Sequence, residues 1–107
     1  LTFAGDKAKA YAYVSDTLFQ KNVVEAVKGV DLLYHEATFL HELHERAIET
    51  LHTTAWQAGL AAKQAEVQKL LIGHFSARYR DLTPLLIEAQ TQFENTFLAI
   101  EGEKFTI

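Results

Sequence analysis

Three short apolar segments alternate with segments of helical periodicity, and this alternation restricts the chain to an α/β fold. The apolar segments are residues 11–14, 31–37 and 69–74, each of a length expected for a buried strand. Strands that are separated by helices pair in parallel through right-handed crossovers, and strands without polar alternation are typical of a sheet covered on both faces. The sequence therefore predicts a mostly parallel sheet flanked by helices.

Two of the helices are expected to begin at capping boxes, in which a Thr side chain accepts a backbone N–H three residues later. The first is predicted over residues 17–29 and the second over residues 52–67, where alanines give a small face that can pack close to a sheet. Between them, the polar segment "HELHERAIE" predicts a short exposed helix. The capping pairs are Thr17 with Gln20 and Thr54 with Gln57.

A third helix and a hairpin complete the predicted order of elements. Thr83 as N-cap and Pro84 at the first helical position favour a helix that runs to about Phe93. The segments "TFLAI" and "EKFTI" are then predicted as two strands joined at Glu101-Gly102, because glycine suits a tight turn. The α/β core is thus expected to end in an antiparallel hairpin.

The composition fits one domain, residues 1–107, and argues against several classes of protein. Hydrophobic residues make up 49% of the chain, yet no apolar run is long enough for a membrane span, and no signal-peptide pattern is present. Cysteine is absent and the net charge is −4, so neither a disulfide scaffold nor a basic nucleic-acid surface is indicated. A cytoplasmic protein is expected. The chain has no Met and begins with Leu1, which predicts a piece of a longer protein.

Polar residues follow each predicted strand at the point where the strand ends. Asp16 follows the first strand, His35 and Glu36 close the second, and His74 with Arg78 follow the third. The carboxyl ends of parallel strands meet at one edge of the sheet, which is where open α/β sheets bind their ligands. The sequence therefore predicts a functional site at this edge.

His52 adds a further candidate, because it lies just before the capped start of the second helix. Backbone N–H groups and the helix dipole favour an anion at such a point, so a His there can handle a phosphate or donate a proton. Arg78 could hold phosphate oxygens through two parallel hydrogen bonds.

Each candidate also has a plain structural explanation. Asp16 can complement the dipole of the following helix, and Glu36 can pair with a surface lysine. The histidines can be satisfied structural residues, and Arg78 can be a surface residue. The convergence of all of them on one edge favours a site.

The segment "HELHE" is a weaker candidate for a metal site. His41 and His44 are three residues apart, whereas the zinc-protease motif needs two histidines four apart. We therefore expect a solvated helix face here, and we expect Trp56 to belong to the core.

Four motifs together carry a resemblance to a known family. In chain order they are "YVSDT", "LLYHEATF", "HTTAWQA" and "GHFSARY", and the closing "IEGEKFTI" agrees with them. This set resembles the C-terminal half of ribonuclease Z, the tRNA 3′-processing endonuclease of the metallo-β-lactamase superfamily. The resemblance covers nearly the whole chain and implies the C-terminal half of an αββα sandwich.

The resemblance implies a role for five residues. Asp16 would bridge two zinc ions, and His74 would be a ligand of one of them. Glu36 and His52 would deliver a proton to the leaving 3′ oxygen, and Arg78 would lie near the substrate phosphate. The intact enzyme is thus expected to bind two Zn²⁺ ions per subunit, to act on precursor tRNA and to form a homodimer, with no membrane attachment.

Some features depart from the pattern of the family. Thr53 stands where Ser is frequent, Ser15 stands where Gly is frequent, and His35 is expected to have only a supporting role. The H-x-H-x-D-H zinc motif is absent from the 107 residues. We therefore expect the chain to be inactive alone. A phosphodiesterase of the same fold with another substrate, or a non-catalytic interaction module, remains an alternative.

Overall fold

The strands form one sheet in which sequence order and spatial order agree. The computed structural model describes residues 2–5, 10–15 and 19–99, with only the backbone described for the first range. The described strands lie in the order β1-β2-β3-β4-β5; β1 is antiparallel to β2, and all other pairs are parallel. The strands are β1 Thr2–Gly5, β2 Ala10–Val14, β3 Leu32–Glu36, β4 Lys69–Gly73 and β5 Thr96–Leu98.

The predicted strands are therefore confirmed within a residue or two at their ends, and the predicted parallel sheet is confirmed for β2 to β5. Strand β1 was not expected. The predicted closing hairpin is tested only in its first half, since β5 corresponds to "TFLAI" and pairs in parallel with β4. The segment "EKFTI" lies outside the described residues.

The helices occupy the positions that the sequence predicts, with corrected ends. Helix α1 begins after Gln20, which is its N-cap and whose side chain makes no capping hydrogen bond. The predicted capping box, which placed Gln20 inside the helix, was therefore wrong. Its other member, Thr17, is outside the described residues. A 3₁₀ turn, His41–Leu43, precedes α2. The helices are α1 Lys21–Ala26, α2 His44–Glu49, α3 Ala55–Ala65 and α4 Thr83–Gln90.

The starts of α3 and α4 show how local hydrogen bonds set a helix boundary. The capping box of Thr54 and Gln57 is present in both directions at α3, as predicted. At α4 the N-cap is Leu82 rather than Thr83. The reason is that the Asp81 carboxylate accepts the backbone N–H of Thr83 at 3.0 Å and so takes over the capping role.

Helices α1, α3 and α4 share one face of the sheet, and the hydrophobic core lies between them and the strands. Parallel crossovers of one hand between successive strands place these three helices on the same side. Strand residues that alternate toward this side are buried, for example Ala12, Leu33 and Leu70, which lie opposite one another. The α3 alanines that contribute to this core are Ala55, Ala58, Ala61, Ala62 and Ala65.

The opposite face of the sheet is only partly covered within the described part of the chain. Tyr13 and Tyr34 stack there with ring centroids 4.5 Å apart, and Tyr13 and Phe97 are 48% and 44% exposed. Burial and the neighbouring Tyr13 raise the pKa of Tyr34 to about 12. The expectation of a sheet covered on both faces therefore holds for one face among the described residues.

Helices α3 and α4 approach each other closely at a glycine. A Cβ atom at Gly59 would collide with the carbonyl oxygen of Ala89 and crowd the Cβ of Gln92. Glycine is thus required at this crossing for steric reasons. Within the described residues, none of the helices is both long and apolar enough to span a membrane.

Candidate active site at the carboxyl edge of the sheet

The carboxyl ends of β3 and β4 bring the predicted residues together. Glu36 is the last residue of β3 and lies opposite Gly73, the last residue of β4. His74 follows immediately, and His52 lies just before α3. Asp16, which follows β2, is outside the described residues.

A buried carboxylate is the centre of this arrangement. Glu36 is 0% exposed, and its Oε2 atom accepts hydrogen bonds from the Thr38 hydroxyl at 2.5 Å and from His52 Nδ1 at 2.9 Å. The Thr53 hydroxyl donates more weakly to Oε1 at 3.5 Å. Burying a carboxylate is costly unless it is hydrogen-bonded in this way. The donors therefore hold Glu36 in place while it holds His52.

His74 lies beside this carboxylate in an unusual backbone conformation. Its φ angle is 59°, in the left-handed region of backbone conformation. Residues other than glycine seldom adopt this region, and when they do they are often at functional sites. The Nδ1 atom of His74 is 3.2 Å from the Thr38 hydroxyl and 3.8 Å from Glu36 Oε2. The rings of His52 and His74 are 5.3 Å apart, and the His74 side chain is 48% exposed.

Backbone hydrogen bonds join the three loops that carry these side chains. The N–H of Ala37 donates to Gly73 O at 2.8 Å, and the N–H of Thr38 donates to Thr53 O at 3.0 Å. The carbonyl of Thr38 in turn accepts from Ser76 N–H at 2.9 Å. The relative positions of Glu36, His52 and His74 are thus set by the main chain as well as by side chains.

His35 does not belong to this group of side chains. It is buried, and it lies opposite Val14 and Ile72 on the helix-covered face. Its Nδ1 atom is 2.7 Å from the carbonyl oxygen of Glu36, and burial lowers its pKa. A neutral ring that donates to this carbonyl stabilises the end of β3. The expectation that His35 lies with the polar residues of the edge was wrong, because its side chain is on the other face of the sheet.

Arg78 lies at the margin of the site, on the loop that follows His74. Its guanidinium carbon is 5.5 Å from the centre of the Phe39 ring, and that ring is 6.3 Å from the His52 ring in an edge arrangement. The side chain is exposed. Tyr79 has a structural role, because its hydroxyl accepts the backbone N–H of Leu40 at 2.9 Å.

The "HELHE" segment is more ordered than a solvated helix face. The His41 ring stacks on His44 at a centroid distance of 5.0 Å and lies tilted against Trp56 at 4.7 Å. The carboxylate of Glu88 accepts the backbone N–H groups of both His41 and Trp56. His41 and Trp56 are half-buried, whereas Glu42, His44 and Glu45 are exposed. The prediction of a solvated face therefore holds except at His41, and Trp56 lies at the border of the core.

The donor atoms at the edge are suited in part to a metal ion. Ligand atoms of Glu36, His52 and His74 all lie within 4.8 Å of one another, and imidazole and carboxylate are ordinary zinc ligands. The His52 side chain is only 22% exposed and is paired directly with the buried Glu36 carboxylate, which favours a proton-handling role for that residue. His74 fits a ligand better, because its ring is half exposed while its Nδ1 is hydrogen-bonded, which leaves Nε2 for a metal ion.

The architecture and this edge of polar residues define a segment of a metallo-β-lactamase fold. The chain superposes on the metallo-β-lactamase fold protein YhfI from Bacillus subtilis with a TM-score of 0.77, at 24% identity, over 85% of this chain and 37% of that protein. It also superposes on human tRNase Z, short form, with a TM-score of 0.55, at 30% identity, over 72% of this chain and 24% of that protein.

Sequence comparison finds relatives that share one name within this fold. The chain is 54% identical to a ribonuclease Z of Cytophaga hutchinsonii over 94% of this chain and 32% of that protein. It is 52% identical to a ribonuclease Z of Phocaeicola vulgatus over 100% of this chain and 35% of that protein. No family model matches the chain. Over the segment that it spans, the chain is homologous to these ribonuclease Z proteins; that segment is about a third of their length.

One residue of the site received no role from the sequence. Thr38 was part of the "HEATF" motif, yet its hydroxyl proves to bridge Glu36 and His74. A hydroxyl two residues beyond a candidate catalytic carboxylate, at the end of a strand, is the signal that could have identified it.

Proposed function

We propose that residues 1–107 form the C-terminal part of a single metallo-β-lactamase domain in a ribonuclease Z that removes the 3′ trailer from precursor tRNA. The observation that carries the proposal is the 2.9 Å hydrogen bond between Glu36 and His52 beside His74. The similarity to proteins named ribonuclease Z supports it. The chain alone would be inactive, because a catalytic zinc ion needs about three protein ligands.

His74 and Asp16 would hold zinc in the intact protein, together with ligands from outside this chain. When bound, zinc would supply Lewis-acid stabilisation of phosphate charge and would ease deprotonation of the attacking water. The other residues of this chain would bind the substrate and move protons around that centre.

The His52–Glu36 pair would protonate the leaving 3′ oxygen. Water attacks phosphorus and gives up a proton to solvent, a P–O bond forms, and the bond from phosphorus to the 3′ oxygen breaks. The proton from His52 goes to that oxygen, which leaves a 3′ hydroxyl on the tRNA and a phosphate on the trailer. The buried carboxylate of Glu36 stabilises the protonated imidazole and holds its orientation, as general acid catalysis requires.

Arg78 would bind the non-bridging oxygens of the scissile phosphate. Its exposed guanidinium is positioned over Phe39, next to His52, and such a fork can make two parallel hydrogen bonds to a phosphate. Arg78 would therefore stabilise negative charge as it develops during the reaction.

We propose precursor tRNA as the partner, a homodimer as the assembly and the cytoplasm as the location. The chain has a net charge of −4 and offers little basic surface for RNA. Most of the affinity for tRNA would therefore come from other parts of the intact protein.

The proposal is tested with the full-length protein that carries this segment. Cleavage of a precursor tRNA is followed with the native protein and with Asp16→Ala, the cut position is mapped, and zinc is measured in both. Cleavage at the 3′ end that is lost together with zinc in the variant is expected. Zinc without cleavage would point to another phosphodiester substrate, and neither zinc nor cleavage would point to a non-catalytic module.

A further inference from the structure

We infer that Thr38 is a positioning residue that fixes the ring of His74 to the buried carboxylate of Glu36. The hydroxyl of Thr38 is 2.5 Å from Glu36 Oε2 and 3.2 Å from His74 Nδ1. The direct distance from His74 Nδ1 to Glu36 Oε2 is 3.8 Å, which is too long for a hydrogen bond. Thr38 thus connects two residues that cannot reach each other.

The proton positions follow from the number of hydrogens on a hydroxyl. A hydroxyl has one hydrogen to donate, and that of Thr38 points to Glu36 Oε2. Toward His74 the hydroxyl can only accept, so Nδ1 of His74 must carry the proton. Nε2 of the neutral ring then holds the lone pair that a metal ion requires.

The same carboxylate orients the second histidine directly. Because Oε2 of Glu36 accepts from His52 Nδ1 at 2.9 Å, both rings present their Nδ1 atoms to one oxygen, His52 directly and His74 through Thr38. Hydrogen-bonded carboxylates behind a ligand histidine fix its tautomer and orientation in metal proteins. Here a hydroxyl extends that arrangement by one step.

The main chain of Thr38 makes its position well defined. Its N–H donates to Thr53 O in the loop of His52, and its carbonyl accepts from Ser76 N–H in the loop of His74. The side chain is buried at 6% exposure, so water cannot readily replace the hydroxyl. All four hydrogen bonds of this one residue therefore connect the three loops of the site.

The inference rests on the proposed function only for the identity of the metal. The first measurement is the ¹⁵N spectrum of the histidine rings in the metal-free full-length protein, since ring nitrogen shifts distinguish a protonated from an unprotonated nitrogen. His74 is expected to carry its proton on Nδ1. A proton on Nε2 in the native protein would overturn the inference whether or not the protein cleaves tRNA.

The second measurement compares variants of Thr38. Thr38→Val keeps the shape and the backbone bonds but removes the hydroxyl; we expect mixed tautomers of His74 and about 10- to 100-fold weaker zinc binding. Thr38→Ser, which restores a hydroxyl, should recover most of both. Thr96→Val is the matched control, because Thr96 is also buried and its hydroxyl donates to Phe93 O, away from the site.

The outcomes separate positioning from general stability. Native ring shifts and native zinc affinity in a folded Thr38→Val protein would contradict the inference. Equal losses in Thr38→Val and Thr96→Val would also contradict it, because stability alone would then explain the effect. If Thr38→Val does not fold, the tautomer of His74 in the native protein and in Thr38→Ser still tests the inference, since the proton is expected on Nδ1 in both.

Discussion

The Nδ1 atom of His52 lies 2.9 Å from the Oε2 atom of Glu36, a carboxylate with no exposed surface. The two residues are 16 positions apart and are brought together by the end of β3 and the start of α3. Such a pair can hold a proton at the edge of the sheet and release it from the outer side of the ring. Among the described residues of the site, this pair is therefore the one best suited to donate a proton.

Glu36→Gln and His52→Ala should each lower kcat for cleavage of precursor tRNA by about 10²- to 10⁴-fold, the usual contribution of a positioned general acid. Since the two residues act as one unit, the double variant should be little worse than either single variant. The measurement is single-turnover cleavage by the full-length protein. Glu94→Gln, at an exposed position, is the control. Losses that multiply in the double variant would show that the residues act independently.

Arg78→Ala should lower kcat/KM by about 10- to 100-fold, which corresponds to the loss of a charged hydrogen bond. Arg78→Lys should recover only part of this, because lysine lacks the planar fork. Steady-state kinetics on precursor tRNA measure both effects. Arg80→Ala changes an exposed arginine two residues away and should have little effect; an equal loss in that variant would mean that only the overall charge matters.

Gly59→Ala should destabilise the protein although alanine is the better helix former by about 1 kcal/mol. The added Cβ would meet the Ala89 carbonyl oxygen, a backbone atom that cannot rotate away, and overpacking of this kind costs about 1–3 kcal/mol. The free energy of unfolding in urea tests this. Gln64→Ala, at an exposed position of the same helix, should be neutral or slightly stabilising. A stabilised Gly59→Ala protein would refute the close packing of α3 on α4.

The stability of the protein should fall in mild acid because of His35. Burial lowers the pKa of this ring below its ordinary value of 6.5, so the unfolded chain binds a proton more readily than the folded chain does. Stability is therefore complete above about pH 6.5 and decreases as the pH falls below that value toward the folded-state pKa.

The measurement compares urea unfolding midpoints at about pH 7 and about pH 5, which lie on either side of the ordinary pKa of histidine. His35→Gln should reduce the difference between the two midpoints, even if it lowers both. His44→Gln removes an exposed ring and should leave the difference unchanged. If the difference between the two midpoints is as large in His35→Gln as in the native protein, groups other than His35 cause the acid sensitivity.

Much of the fold could be predicted from sequence because its signals are local. Apolar segments of strand length, the capping box of Thr54 and Gln57, and the alanine face of α3 are read from neighbouring residues. The predicted start of α4 was wrong because of a competing local bond, in which Asp81 accepts the N–H of Thr83. The predicted start of α1 was also wrong, since Gln20 lies outside that helix.

The site could be predicted less completely because it depends on register and on sheet faces. His35 and Glu36 are adjacent in sequence but have different environments, and the sequence does not state which face the helices cover. The contact of Thr38 with His74 joins residues 36 positions apart and depends on the pairing of β3 with β4. The left-handed conformation of His74 likewise follows from the loop as a whole.

The central claim is that His52 and Glu36 protonate the leaving 3′ oxygen, and a substrate with sulfur in place of that oxygen tests it most directly. Sulfur leaves without needing a proton, so general acid catalysis is no longer required. We would measure single-turnover cleavage of both substrates by the full-length protein and by Glu36→Gln, His52→Ala and His74→Ala. We predict that the sulfur substrate restores near-native rates to the first two variants and not to His74→Ala. Equal impairment of Glu36→Gln and His52→Ala on both substrates would contradict the claim.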